Sequence, residues 1–148
     1  MPIPAFNEGG LLPPGVHVCT LEEVKGRFGS FYGSDRRPNL FTSLLELMAD
    51  IRSTDLFVAA VLDGSFVTDA IAPNDIDLIL VLRRTHDWKR DPNPHEYNLL
   101  NRRRLRRQFG FDVFLAVDDD TDYHEMVEFF GAVRDNPDVR KGILRIEL

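Results

Sequence analysis

A chain of 148 residues, 43% apolar and 28% charged, has the length and composition of one folded domain with a proper core, which excludes a disordered or low-complexity segment. Its formal net charge of −6 argues against a general nucleic-acid binder, whose affinity would rest on neutralising phosphates. The lone Cys19 has no internal disulfide partner, and His17, His86, His95 and His124 lack zinc-ligand spacing, so Cys19 reads as a packed residue.

Pro13-Pro14 marks an extended N-terminal arm. Thr20-Leu21-Glu22-Glu23 is a capping-box pattern that opens a short helix, ended by Gly29, with Val24 and Phe28 facing inward. Leu40, Leu44, Leu45, Met48 and Ile51 recur at helical spacing and predict a second helix, Leu40 to Ser53, lying across a sheet. Leu56 to Leu62 is a short apolar run with β-branched and aromatic content, as in a buried strand, and it stops at Asp63-Gly64. A polar loop from Thr68 to Asn74, broken by Pro73, leads into a second apolar run, Asp77 to Leu82. A helix is expected from Glu96 to Phe109, then a strand from Phe111 to Val117. The acids Asp118, Asp119, Asp120 and Asp122 crowd the next turn, where Asp120 or Thr121 would cap a helix carrying Met126, Val127, Phe129 and Phe130. Leu144, Ile146 and Leu148 alternate with Arg145 and Glu147, which suits a half-buried closing strand.

The chemistry concentrates between these two strands. Gly64 can take backbone angles that aim successive N–H groups at one point, and the Ser65 hydroxyl adds a donor, so Gly64-Ser65 can cradle phosphate oxygens. Ten residues after the serine, Asp75-Ile76-Asp77 would place two carboxylates on one strand face, where they raise each other's pKa and suit Mg²⁺ or Mn²⁺. The plainer alternative is a turn in which Asp75 caps local amides and Asp77 is a solvated strand-edge residue. Asp112 interrupts an apolar strand with no packing reason, so it is paired, capped or ligating, or faces water at the strand end. Arg102, Arg103, Arg106 and Arg107 form a stripe beside Leu99, Leu100 and Leu105, which either meets a polyanion or partner or is a solvated helix face.

The order strand, Gly-Ser, loop, Asp-x-Asp, strand resembles the nucleotidyltransferase superfamily of DNA polymerase β, over about Leu56 to Val117. Leu12-Pro13-Pro14-Gly15-Val16-His17, the Gly-Ser-Phe-Val-Thr-Asp block and the closing Lys141 to Leu148 extend the similarity to a small, mainly bacterial, uncharacterised family of nucleotidyltransferase-like proteins. The resemblance implies an α/β (α+β) fold, a minimal core with a mixed sheet flanked by helices. Residues 1–54 would be N-terminal arm and helices, 55–117 the core, and 118–148 the C-terminal helix and strand. It implies a nucleoside triphosphate held by Gly64 and Ser65, with Asp75, Asp77 and Asp112 as catalytic residues and ligands of Mg²⁺ or Mn²⁺. A nucleoside monophosphate would pass to a hydroxyl of RNA, protein or a small molecule, in a toxin–antitoxin or defence setting. Phe66, Val67 and Thr68 follow the serine where the small transferases often carry an arginine. The alternatives are an inactive module of the same fold, such as an antitoxin or assembly subunit, and a metal-dependent nuclease. The chain's size leaves little sequence to grip base and acceptor, so a partner or a second copy in a homo-oligomer would supply that surface. With no apolar stretch long enough for a bilayer and no secretory leader in Met1 to Glu8, a cytoplasmic protein without membrane association is expected.

Overall fold

Local signals set most of the helices. The Thr20 hydroxyl accepts from the Glu23 amide and the Glu23 carboxylate returns a bond to the Thr20 amide, so the expected capping box opens α1, Leu21–Phe28, and Gly29 closes it. The computed structural model, which describes residues 3–148, continues with α2, Arg36–Arg52, which begins before the apolar stripe does. Its buried face is Phe41, Leu44, Leu47, Met48 and Ile51, whereas Leu45, expected in that stripe, is 41% exposed. The spacing allowed either set, and contact with the sheet selects the one carrying Phe41 and Leu47.

The sheet is mixed, with strand order β1-β7-β2-β3-β4, and the fold is α+β. Strands β2, Phe57–Asp63, and β3, Asp77–Leu82, run antiparallel, while β4, Asp112–Val117, is parallel to β3. A parallel neighbour needs a crossover, and the stretch expected as one helix provides it as two: α3, Pro94–Leu100, and α4, Arg102–Phe109. Asn93 caps the first of them in a capping box with Glu96. Asn101 ends α3 and, by accepting from the Arg104 amide, starts α4. Asp120, in turn, caps α5, Thr121–Phe130, through the Asp122 amide.

Both ends of the chain depart from expectation. The arm after Pro13-Pro14 becomes β1, Gly15–Cys19, paired in parallel with the closing strand β7, Gly142–Glu147. β7 lies between β1 and β2, so both its edges are paired; Leu144 and Ile146 are buried while Arg145 and Glu147 are less so, the alternation expected, and Ile143 is buried in the core on the opposite face. A short hairpin of β5, Ala132–Val133, and β6, Asn136–Arg140, follows α5 and was not foreseen. One sheet face packs Leu62, Leu78, Leu80, Val113 and Leu144 against α1, α2 and α4, with Cys19 buried in the same core. The other packs Ala59, Val61, Ile79, Val81 and Ala116 against Tyr123 and Phe130 of α5. Each fully buried aliphatic side chain contributes about 1.5–3 kcal/mol, and these two layers hold the strand ends that carry the polar residues. Among the described residues no helix is long and apolar enough to cross a membrane.

Candidate active site

Strand register brings the acids together. Asp63 at the end of β2 stands opposite Asp77 at the start of β3, and Asp77 stands beside Asp112 at the start of β4. Side chains alternate along a strand, so all three share a face with Val61, Ile79 and Phe114, on the α5 side. Asp75 is placed differently from the sequence reading: it lies in the loop before β3, not on the strand, because β3 begins only at Asp77. It still reaches the same cavity as Asp63, Asp77 and Asp112.

The Gly-Ser turn is a single 3₁₀ turn, Ser65–Val67, entered through Gly64 at φ 95° and ψ −178°. Its donors, expected to cradle a phosphate, are committed to Asp75. The Ser65 amide and hydroxyl both donate to Asp75 Oδ1, at 3.1 and 3.0 Å, and the Phe66 amide donates to the Asp75 carbonyl at 3.2 Å. Ser65 Oγ in turn accepts from the Asn74 amide at 2.8 Å. The Asp75 carboxylate therefore occupies the place foreseen for a phosphate and caps local amides, as in the plainer alternative, whereas Asp77, a solvated strand-edge residue in that alternative, is partly buried on a strand between β2 and β4.

Two cations pair with two of the acids. Lys141 Nζ approaches Asp63 Oδ1 to 2.9 Å, while Arg106 pairs with Asp112. Asp63 is only 4% exposed, and the charge of Lys141 is what offsets its buried carboxylate. Burial pushes the Asp63 carboxyl up, and Lys141 pulls it back. The Asp77 carboxyl is pushed up to about 6, first by burial and then by the charges of Asp75 and Asp63, with Lys141 and Arg106 opposing. The site thus carries more negative charge than its cations offset. Among the described residues, no three His, Cys, Asp or Glu side chains form a ready-made metal ligand set.

The arginine stripe divides. Arg102 Nε donates to the Val113 carbonyl and its guanidinium covers the Phe114 ring at 4.6 Å, and Arg106 serves Asp112, so these two face β4. Arg103 and Arg107 remain exposed on α4. Asp63 and Lys141 were missed as site residues. The first sits immediately before Gly64 and the second opens the closing Lys141 to Leu148 segment, but nothing in the sequence alone pairs them.

A cavity of about 680 Å³ opens on this arrangement. Asp63, Asp75, Asp77, Asp112, Arg134 and Lys141 form its charged lining, and Phe114, Phe129 and Phe130 its aromatic lining. A family model described as a family of unknown function, DUF6932, matches residues 4–147. The chain belongs to that family. Comparison with curated proteins and with solved structures finds no match in either set. The DUF6932 match spans every residue of the carboxylate row, the Gly-Ser turn and Lys141, yet the family description carries no chemistry. Any reading of what a DUF6932 protein does therefore rests on the site itself.

Proposed function

We propose that this protein is a metal-dependent nucleotidyltransferase that moves a nucleoside monophosphate from a nucleoside triphosphate to a hydroxyl of RNA, protein or a small molecule. The observation that carries the reading is the row Asp63, Asp77 and Asp112 on three adjacent strands, beside the Gly64-Ser65 turn. A cytoplasmic setting belongs to the proposal, since nucleoside triphosphates are supplied there.

Mg²⁺ suits the donors present. It favours oxygen and is commonly held by one or two carboxylates with substrate phosphates, rather than by a complete protein cage. Asp77 and Asp75 would hold it, and the surplus negative charge at Asp77 is what a cation relieves. Bound there, the metal would neutralise triphosphate charge and lower the pKa of the attacking oxygen. Asp112 accepts the proton of the acceptor hydroxyl. Its pair with Arg106 is exposed on both sides, 64% and 51%, so separating them costs little and frees the guanidinium for phosphate. The acceptor oxygen bonds to the α-phosphorus, the bond from that phosphorus to its bridging oxygen breaks, and pyrophosphate leaves. Lys141 supplies a cation to a cavity whose Gly-Ser turn is followed by no arginine. Arg103 and Arg107 are the stripe residues left to meet a polyanionic acceptor or a protein partner.

One observation favours a second reading, a module of this shape that no longer turns over. Asp75 already satisfies the Ser65 donors, and Lys141 and Arg106 already pair with Asp63 and Asp112. Incubation with Mg²⁺, each α-labelled triphosphate and a host lysate separates the two. Label transferred by wild type and lost in Asp77→Asn supports the enzyme. Binding without transfer supports the module, and calorimetry showing no binding at millimolar triphosphate overturns both nucleotide readings.

A further inference from the structure

Phe129 is 74% exposed, although its neighbour Phe130 is buried and it lies on the last turn of a helix packed against the sheet. Three rings run in sequence from the acids: Phe114, two residues along β4 from Asp112 and on the same face; Phe130, edge-on to Phe114 at 5.6 Å; and Phe129, 6.3 Å from Phe130. Arg102 already covers Phe114 and Phe130 is enclosed, so Phe129 is the ring with a face to offer. The β5–β6 hairpin adds Ala132, Val133 and Arg134 to the same cavity. Arg134 is exposed and has no ion-pair partner among the described residues. The cavity thus joins a charged lining to an aromatic lining. With Mg²⁺ held among the carboxylates, as the nucleotide reading requires, its complement would be a ligand with a polyanionic end and a flat π-face.

We propose that Phe129, backed by Phe130 and Phe114, is the platform on which the nucleobase of a nucleoside triphosphate stacks while its phosphates reach the carboxylates. This rests on the nucleotide reading of the carboxylate site and extends it to the recognition of the base. Stacking of this kind tolerates any base, because every base has a π-face, so the platform holds the nucleoside without choosing among bases.

The test is calorimetric titration of wild type, Phe129→Ala and Phe129→Trp with the Mg²⁺ complexes of ATP, GTP, CTP, UTP and inorganic tripolyphosphate. Because Phe129 is exposed, the variants keep their fold, which melting temperature verifies. Phe129→Ala is expected to weaken nucleotide binding on the order of tenfold, leave tripolyphosphate unchanged, and be rescued by Phe129→Trp. Unchanged nucleotide affinity in Phe129→Ala, or wild-type protein that binds tripolyphosphate as tightly as every nucleotide, overturns the platform and leaves the carboxylate site standing. Wild-type protein that binds neither class overturns the nucleotide reading, and the platform with it.

Discussion

Lys141 Nζ lies 2.9 Å from Asp63 Oδ1, with side-chain exposures of only 19% and 6%. Removing the cation leaves a carboxylate in a place where burial already opposes its charge. Lys141→Met should therefore destabilise the protein at neutral pH by about 3 kcal/mol, the scale for a broken buried pair. The loss should shrink at low pH, where Asp63 protonates. Adding Asp63→Asn should recover much of it. A double-mutant cycle by urea denaturation measures the coupling, and strict additivity would show that the two side chains do not pair.

Asp77 gives the protein a pH dependence of known sign. Its carboxyl is raised to about 6 in the fold, against about 4 in an unfolded chain, so the folded state binds the proton more tightly. The resulting stability is fully present below about pH 4 and is lost as pH rises through about 6. Asp63, also raised, acts in the same direction. In EDTA, wild type should gain on the order of 1 kcal/mol relative to Asp77→Asn between pH 7.5 and 5, after discounting the partial exposure of Asp77. Parallel stability curves for the two proteins would falsify this.

Arg37 is 4% exposed and donates to the carbonyls of Phe28, Phe66, Thr68 and Ala70, tying the start of α2 to the loop after Ser65. Beside it Arg36 reaches the carbonyls of Pro73 and Asn74, so this pair of arginines spans the route from Ser65 to Asp75. Arg37→Met should cost at least about 3 kcal/mol, because several buried carbonyls lose their donor together. Arg37→Lys should recover little, since one ammonium cannot reproduce the guanidinium fork. Denaturant unfolding of the two variants decides it, and a lysine variant as stable as wild type would show that charge alone suffices.

What was legible in the sequence was what neighbouring residues decide. The capping box at Thr20, the apolar runs that became β2, β3 and β4, and the cap at Asp120 are all local. β1 escaped because its partner, β7, comes from the other end of the chain. Arg37 reads as a solvated charge until the loop carbonyls close around it, and the Asp63–Lys141 pair exists only once β2 and the segment entering β7 are adjacent. The β5–β6 hairpin is masked by a proline within β6, a residue that weakens a strand signal. Asp-x-Asp spacing suggested one strand face, but Asp75 forms hydrogen bonds with the turn before it and so stays outside the ladder.

Gly64 sets the turn that Asp75 holds. Its φ of 95° with ψ near 180° is a region that essentially only glycine occupies, and a Cβ there would lie 3.0 Å from both the carbonyl oxygen and Oδ1 of Asp75. Neither oxygen can withdraw freely, since one accepts from the Phe66 amide and the other from Ser65. Gly64→Ala should thus combine backbone strain with a clash against the entry to β3 and destabilise by about 2–4 kcal/mol. Ser65→Ala removes only the hydroxyl bonds, keeps the Ser65 amide bond to Asp75, and should cost nearer 1 kcal/mol. If nucleotide binding requires Asp75 to yield the turn to a phosphate, Ser65→Ala should lower affinity while leaving most of the stability intact, whereas Gly64→Ala loses both. Paired thermal denaturation and Mg²⁺–ATP titration of the two variants separates these effects. A Gly64→Ala protein with wild-type stability would show that this backbone geometry is not what holds Asp75 in place.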